Sequence, residues 1–309
     1  MQEVVAIPRL GLGTWKSPSG RVGRAVREAL AIGYRHIDCA PIYGNEAEIG
    51  AALEEWQSSG GRREDLWISS KLWNDAHFPD AVRPALEKTL HDLRLDCLDL
   101  YLIHWPVHYR RGVGVPRSAA DYLPPDAVSL AETWQAMEDC VRAGLARHIG
   151  VCNFCLPRLA AFCETAAIKP AALQIELHPW LPQTEMLDFC RERGIIPIAF
   201  APLGSGDRPR ALKLPDEPVL LADAVIRDIA RKHRATPAQI LLAWALGRGT
   251  AVIPKSVSPR HLRENFAAGN LRLDAEDMAR ITALECGRRL LSGNHGASPY
   301  TQEWLWNHE

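Results

Sequence analysis

The stretch Gly33-Tyr-Arg-His-Ile-Asp38-Cys-Ala-Pro-Ile-Tyr43-Gly-Asn-Glu46-Ala-Glu-Ile-Gly50 holds one complete unit of the pattern that decides the fold. Gly33 stands where a preceding helix should end, because glycine takes up the left-handed C-terminal conformation without a steric penalty. Tyr34–Asp38 has the length and composition of a short strand. A proline-containing loop follows, with Asn45 as a candidate N-cap. Ile49, Leu53 and Trp56 then recur at helical spacing.

The same unit repeats in both directions from this point. Strands are expected at Leu66–Leu72, Leu98–Trp105, His148–Cys152, Leu173–His178, Ile195–Ala201, Thr250–Pro254 and, more weakly, Asn270–Leu273. The helix after Leu66–Leu72 has Val82, Leu86, Leu90 and Leu93 on one face. Ser129-Leu-Ala-Glu132 and Thr236-Pro-Ala-Gln239 read as capping boxes. Pro157, Pro237 and Pro259 sit where a first helical residue needs no N–H, and Gly144 and Gly194 where helices stop.

Strict alternation implies parallel strands joined by right-handed crossovers, and eight units favour a closed (β/α)8 TIM barrel, an α/β fold. The competing doubly wound sheet would carry G-x-G-x-x-G after its first strand. Four G-x-G starts occur, at Gly11, Gly112, Gly204 and Gly247, but Lys16, Arg117, Pro209 and Val252 replace the third glycine. With no linker or repeat in 309 residues, residues 1–309 are expected to form a single domain. Two connections are long, Pro106–Val128 and Leu203–Leu220, and with the tail Gly287–Glu309 they should lie over the C-terminal face of the barrel.

A net charge of −1 gives no general attraction to nucleic acid or anionic membranes. No stretch reaches the ~18 apolar residues of a spanning helix, and the start, Met1 to Arg9, does not read as a signal peptide. A cytoplasmic setting is expected, with the eight cysteines mostly packing in apolar runs. Cys152-Asn-Phe-Cys155 lacks the second pair or histidine pair that a zinc site needs, and no metal is expected.

In a barrel, chemistry lies at the C-terminal strand ends. Asp38, Lys71 and His104 close three successive strands, and Tyr43 follows the first of them. A lysine kept charged by an aspartate favours the phenolate of a nearby tyrosine, lowering its pKa from the usual ~10. Such a tyrosine exchanges a proton with a carbonyl oxygen, and a neutral histidine can hold that oxygen. No side chain donates hydride, so reduction of the carbonyl demands a nicotinamide or flavin.

These residues carry a resemblance. Gly33–Gly50 is similar, without a gap, to the first signature of the aldo-keto reductases, near their aldose and xylose reductase branch. Ser70-Lys71-Leu-Trp73 and Leu102-Ile-His104-Trp105-Pro106 resemble the next two catalytic segments, and the likeness runs from about residue 5 to about 290. It implies a (β/α)8 barrel that reduces small carbonyl compounds with NADPH, NADH being a second expected cofactor. It assigns Tyr43 as general acid, Asp38 and Lys71 as its tuning pair, and His104 as the polarising group.

The resemblance also implies the cofactor's seat. Asn153 and Gln174 would hold the carboxamide beside Cys152, which stands where the family usually has serine, and Phe200 would stack on the ring. Thr14, Trp15, Lys16, Asp38, Leu203, Ser205 and Asp207 would follow the cofactor, with Asp207 bridging to Lys16 and Lys255 over the pyrophosphate. Pro254, Lys255, Ser256, Val257, Ser258 and His261 would surround the 2′-phosphate, and Glu264 and Asn265 the adenine. The family usually has arginine at His261, whose partial charge near pH 7 weakens the preference for NADPH; Arg260 and Arg263 are the nearby substitutes.

Ten tryptophans are a heavy load for this length. Trp15, Trp73 and Trp105 adjoin motif residues, and with Tyr43, His104, Tyr109, Trp304 and Trp306 they are expected to line the substrate pocket; Trp56, Trp67, Trp134 and Trp244 are expected to pack. The alternatives are the same chemistry run as an alcohol or sugar dehydrogenase, and a non-enzymatic cofactor-binding subunit of another assembly. Otherwise a monomer is expected.

Overall fold

The computed structural model describes residues 6–213, 217–293 and 298–306. Eight parallel strands follow one another in sequence order: β1 Leu12–Gly13, β2 His36–Asp38, β3 Trp67–Leu72, β4 Leu98–Ile103, β5 Ala146–Cys152, β6 Ala172–Glu176, β7 Ile196–Phe200 and β8 Ala251–Val252. The sheet closes on itself. Gly11 N donates to Val252 O at 2.8 Å, Val252 N to Arg9 O at 2.7 Å and Gly13 N to Pro254 O at 3.2 Å. The fold is a TIM barrel.

Two expectations about strands need correction. The first strand is Leu12–Gly13, which the periodicity missed because two residues carry no period. Asn270–Leu273 is not a strand: Asn270 ends a short 3-10 turn after α9 and the rest leads into α10. The count of eight therefore stands with its membership shifted by one. Pro106–Val128 follows β4, and Leu203–Leu220 follows β7.

The helices are α1 Val22–Ile32, α2 Glu46–Ser58, α3 Pro79–Leu93, α4 Leu130–Arg142, α5 Leu156–Thr165, α6 Thr184–Arg193, α7 Ala224–His233, α8 Pro237–Gly247, α9 Pro259–Ala267, α10 Ala275–Thr282 and α11 Gln302–Trp306. Their starts follow the sequence signals. Thr236 and Gln239 form a reciprocal capping box on α8, and Ser129 accepts from Glu132 N at α4. Asn45 does not cap α2; its Nδ2 is drawn away to donate to Thr14 O at 3.0 Å. Gly33 ends α1 with φ of +122°, a conformation that a side chain would strain.

Strand residues alternate between two cores. Leu100 and Leu102 of β4 point inward with Trp67, Ala172, Ile198 and Ala251, while Tyr101 and Ile103 pack outward against the helices. Because both faces are buried, the strands read as continuous apolar runs. A polar residue in such a run is conspicuous, and Asp38, Lys71 and Glu176 lie at or next to the C-terminal ends of their strands.

Candidate active site

Strand β2 ends in Asp38, which stands level with Ser69 of β3, while Lys71 stands level with Leu102 of β4. This register places the carboxylate and the ammonium side by side. Lys71 Nζ donates to Asp38 Oδ2 at 2.7 Å and to Cys39 O at 2.8 Å, and lies 3.5 Å from the Tyr43 hydroxyl. Lys71 is fully buried and Asp38 nearly so. Ser69 Oγ and Gln174 Nε2 donate to the other oxygen, Oδ1, at 3.0 and 2.8 Å. An ion pair this deep survives only when its remaining lone pairs are satisfied in this way.

Burial disfavours the Lys71 ammonium, but Asp38 and Tyr43 outweigh it and hold its pKa above the usual lysine range. The tyrosine behaves otherwise than expected. Burial raises the Tyr43 pKa, and Lys71 pulls it back only in part, because Asp38 opposes the lysine's charge. Tyr43 is thus held as a proton-bearing phenol rather than poised near neutrality. His104 presents its ring edge-on to Tyr43, centroids 5.8 Å apart, and to Trp73 at 4.9 Å. Burial, Lys71 and His77 hold its pKa well below the usual histidine value, so the ring is neutral at pH 7.

Beside this group, Asn153 follows β5 in a left-handed conformation, φ +61°. Its Nδ2 donates to His104 O at 2.8 Å, while its Oδ1 is buried without a hydrogen-bond partner. Cys152 is buried and close enough to Lys71 for the ammonium to act on its thiol, although burial is the larger influence and raises that pKa. Phe200, the last residue of β7, is half-buried. Farther out, Asp207 bridges two lysines: Lys16 Nζ lies 2.5 Å from Oδ1 and Lys255 Nζ 3.2 Å from Oδ2. Lys16 also donates to Ser205 Oγ at 3.1 Å and lies over the Trp15 ring.

Ser258 caps α9 by accepting from His261 N, and Ser256 Oγ accepts from Ser258 N at 3.1 Å. Asn265 is buried, and Glu264 pairs with Arg260, whose Nη2 lies 3.3 Å from His261 Nε2. Arg263 turns the other way and pairs with Glu28. Pro254 helps to close the barrel, and Leu203 and Val257 pack on the core.

The aromatic residues divide. Trp73, Trp105, Tyr109, Trp304 and Trp306 join one apolar cluster with Val107, Tyr122, Tyr300 and Leu305, where the connection after β4 meets the tail. Tyr109 is mostly consumed in packing, edge-on to Tyr122 at 5.1 Å. Trp15 stands apart from this cluster, with Lys16. Trp134 and Trp244 are buried in the outer core, as expected.

The sequence profile of the Aldo/keto reductase family matches residues 9–285. The chain belongs to the aldo/keto reductase family. It is 53% identical over 305 residues to an aldo/keto reductase of Synechocystis sp., covering 97% of this chain and 93% of that one. It is 46% identical over 281 residues to human aldo-keto reductase family 1 member A1, covering 90% and 86%. An aldose reductase structure from Schistosoma japonicum superposes with a TM-score of 0.84 at 41% identity, covering 96% of both chains. Membership makes the chain an oxidoreductase of the carbonyl-reducing type, a family that generally employs a nicotinamide cofactor. The residues fit such a group. Asn153 Oδ1 lacks only a donor, which a carboxamide has, and a buried acceptor left unpaired costs ~1–3 kcal/mol. Lys16 and Lys255, joined through Asp207, would offer cations to its phosphates.

Some residues of this aldo/keto reductase escaped the sequence. Glu46, at the start of α2, is buried and accepts from Ser70 Oγ at 2.5 Å and Thr89 Oγ1 at 3.2 Å. Its place in the first signature was visible, but a glutamate in a helical first turn is ordinarily read as solvated. His77 and His108 meet at 2.8 Å between their Nδ1 atoms. Tyr300 ties the tail to the β4 connection, accepting from His108 N and donating to Leu123 O, both at 3.0 Å. No motif marks the histidine pair or Tyr300. Among the described residues no three His, Cys, Asp or Glu side chains are grouped to hold a metal, and no helix is long and apolar enough to cross a membrane.

Proposed function

We propose that this chain reduces aldehydes and ketones to alcohols, with NADPH as the main cofactor and NADH accepted, and that Tyr43 is the general acid. The observation that carries the proposal is the buried Asp38–Lys71 pair beside the Tyr43 hydroxyl and a neutral His104. When bound, a reduced nicotinamide supplies hydride. Asn153, Gln174 and Phe200 would hold its ring end, and Lys16, Asp207 and Lys255 its pyrophosphate. Ser256, Ser258, His261, Glu264 and Asn265 would meet the adenosine end.

The side chains then have separate tasks. A neutral His104 donates a hydrogen bond to the carbonyl oxygen without competing for its proton. The raised Tyr43 pKa keeps the phenol protonated across neutral pH, so the proton is present when the oxygen gains charge. As the proton leaves Tyr43 Oη, Lys71 Nζ at 3.5 Å stabilises the phenolate that remains. Asp38 fixes Lys71 and keeps it charged. The aromatic cluster around Trp73 and Trp105 excludes water and favours apolar or aromatic carbonyls.

The test is direct. Loss of reduced nicotinamide absorbance is followed with NADPH and then NADH across aldehydes, ketones and aldoses. Turnover of at least one carbonyl class, faster with NADPH, is expected. Absence of turnover with every carbonyl refutes the reading.

A further inference from the structure

We infer that Glu176 is a positioning residue for the substrate pocket: its buried carboxylate clamps residues 290–293, and that strap fixes the Trp105–Trp306 pair. The inference rests on the proposed function only in taking those two tryptophans as facing substrate.

Glu176 is the last residue of β6 and is fully buried. Nothing in the proton-transfer group touches it. Both its oxygens are spent on the main chain of a segment far off in sequence: Leu290 N donates to Oε1 at 2.6 Å and Leu291 N to Oε2 at 2.8 Å. His178 Nε2, also buried, lies 2.8 Å from Oε1. Burial alone would raise the pKa of such a carboxyl, but His178 and the Leu290 amide outweigh it and hold it below the usual value. Glu176 therefore stays ionised and accepts charge-assisted hydrogen bonds, about twice as strong as neutral ones.

The next residues pass this constraint on. Ser292 O accepts from Trp306 Nε1 at 2.9 Å and from Gln302 Nε2 at 3.0 Å. Gly293, with φ of +72°, lies so close to Trp105 that an added Cβ would stand 2.5 Å from its ring. Trp105 and Trp306 meet edge-to-face with centroids 6.2 Å apart. A strap of four residues thus joins a rigid barrel strand to both rings. A carboxylate suits this role because one planar group satisfies two successive N–H groups that a loop would otherwise leave to water.

The experiment uses the full chain with Glu176→Gln and, separately, Gly293→Ala, which disturbs the strap from its other end. Amide hydrogen exchange is read at Leu290 and Leu291, NADPH affinity by fluorescence, and steady-state kinetics with a small aliphatic and a bulky aryl aldehyde. In Glu176→Gln both amides should exchange at least about tenfold faster. In both variants KM for the aryl aldehyde should rise about tenfold, with kcat for the small aldehyde and NADPH affinity unchanged. Unaltered exchange in Glu176→Gln overturns the clamp. Faster exchange with an unaltered KM in both variants overturns the pocket role, and an equal loss with both aldehydes reduces Glu176 to a general fold residue. A wild-type chain that turns over no carbonyl contradicts the proposed function instead, and the exchange measurement still decides the clamp.

Discussion

Lys71 Nζ lies 2.7 Å from Asp38 Oδ2, and neither side chain is reached by solvent to more than 3%. Removing one partner of such a pair strands the other charge. Lys71→Met should lower stability by about 3–5 kcal/mol, because a buried charge is left unpaired. Activity should fall as well, since the cation beside Tyr43 is gone. Denaturant unfolding of Lys71→Met against wild type checks this; a change below ~1 kcal/mol would show that the pair is solvated after all.

Buried histidines set the acid side of the stability profile. Burial holds His108 at about 4, and His77 and His104 are also depressed. Each binds a proton more readily in the unfolded chain, so its contribution is complete above about 6.5 and is lost as pH falls towards the folded pKa. Thermal midpoints should therefore drop between pH 6.5 and 4, and His108→Gln should flatten that slope. An unchanged slope would remove His108 from the account.

Glu46 works in the opposite sense. Burial pushes its carboxyl up to about 7, against the pull of Ser70 and Thr89. The protonated form is favoured in the fold, so the contribution is complete below about 4.5 and lost as pH rises through 7. Glu46→Gln should gain on wild type as pH rises from 5 to 8, by at least ~2 °C in Tm. A gap that does not widen with pH would mean Glu46 is not buried as a neutral acid.

Asp207 tests the cofactor seat. Its bridge to Lys16 and Lys255 would lie over the pyrophosphate, which NADPH and NADH share. Asp207→Ala should raise the dissociation rate of both cofactors on the order of tenfold, about 1.4 kcal/mol. His261→Arg should instead improve NADPH alone, read as the ratio of kcat/KM for the two cofactors. If Asp207→Ala leaves both dissociation rates unchanged, the bridge is a surface ion pair without a role in retention.

What the sequence revealed and concealed follows from range. Asp38, Tyr43, Lys71 and His104 were legible because successive barrel strands are neighbours, so residues at strand ends must converge. The direction of the Tyr43 shift was not, because it depends on the balance between burial and a charge already neutralised by Asp38. Strand β1 was too short to show a period, and Asn270–Leu273 imitated one. The Glu176 clamp joins residues 114 positions apart through main-chain amides, which leave no trace in side-chain pattern. The bridging position of Asp207 was expected from resemblance, while the pairing of Arg263 with Glu28 became visible only in three dimensions.

Tyr43 is proposed to deliver the proton to a carbonyl oxygen, and this is the step on which the other roles depend. It is tested most directly by mixing the NADPH-loaded chain with an aryl aldehyde in a single turnover and following loss of the reduced nicotinamide absorbance. Tyr43→Phe should slow this step by at least about 10²-fold, with NADPH binding retained. A Tyr43→Phe variant that reduces the aldehyde within a few-fold of the wild-type rate would contradict it.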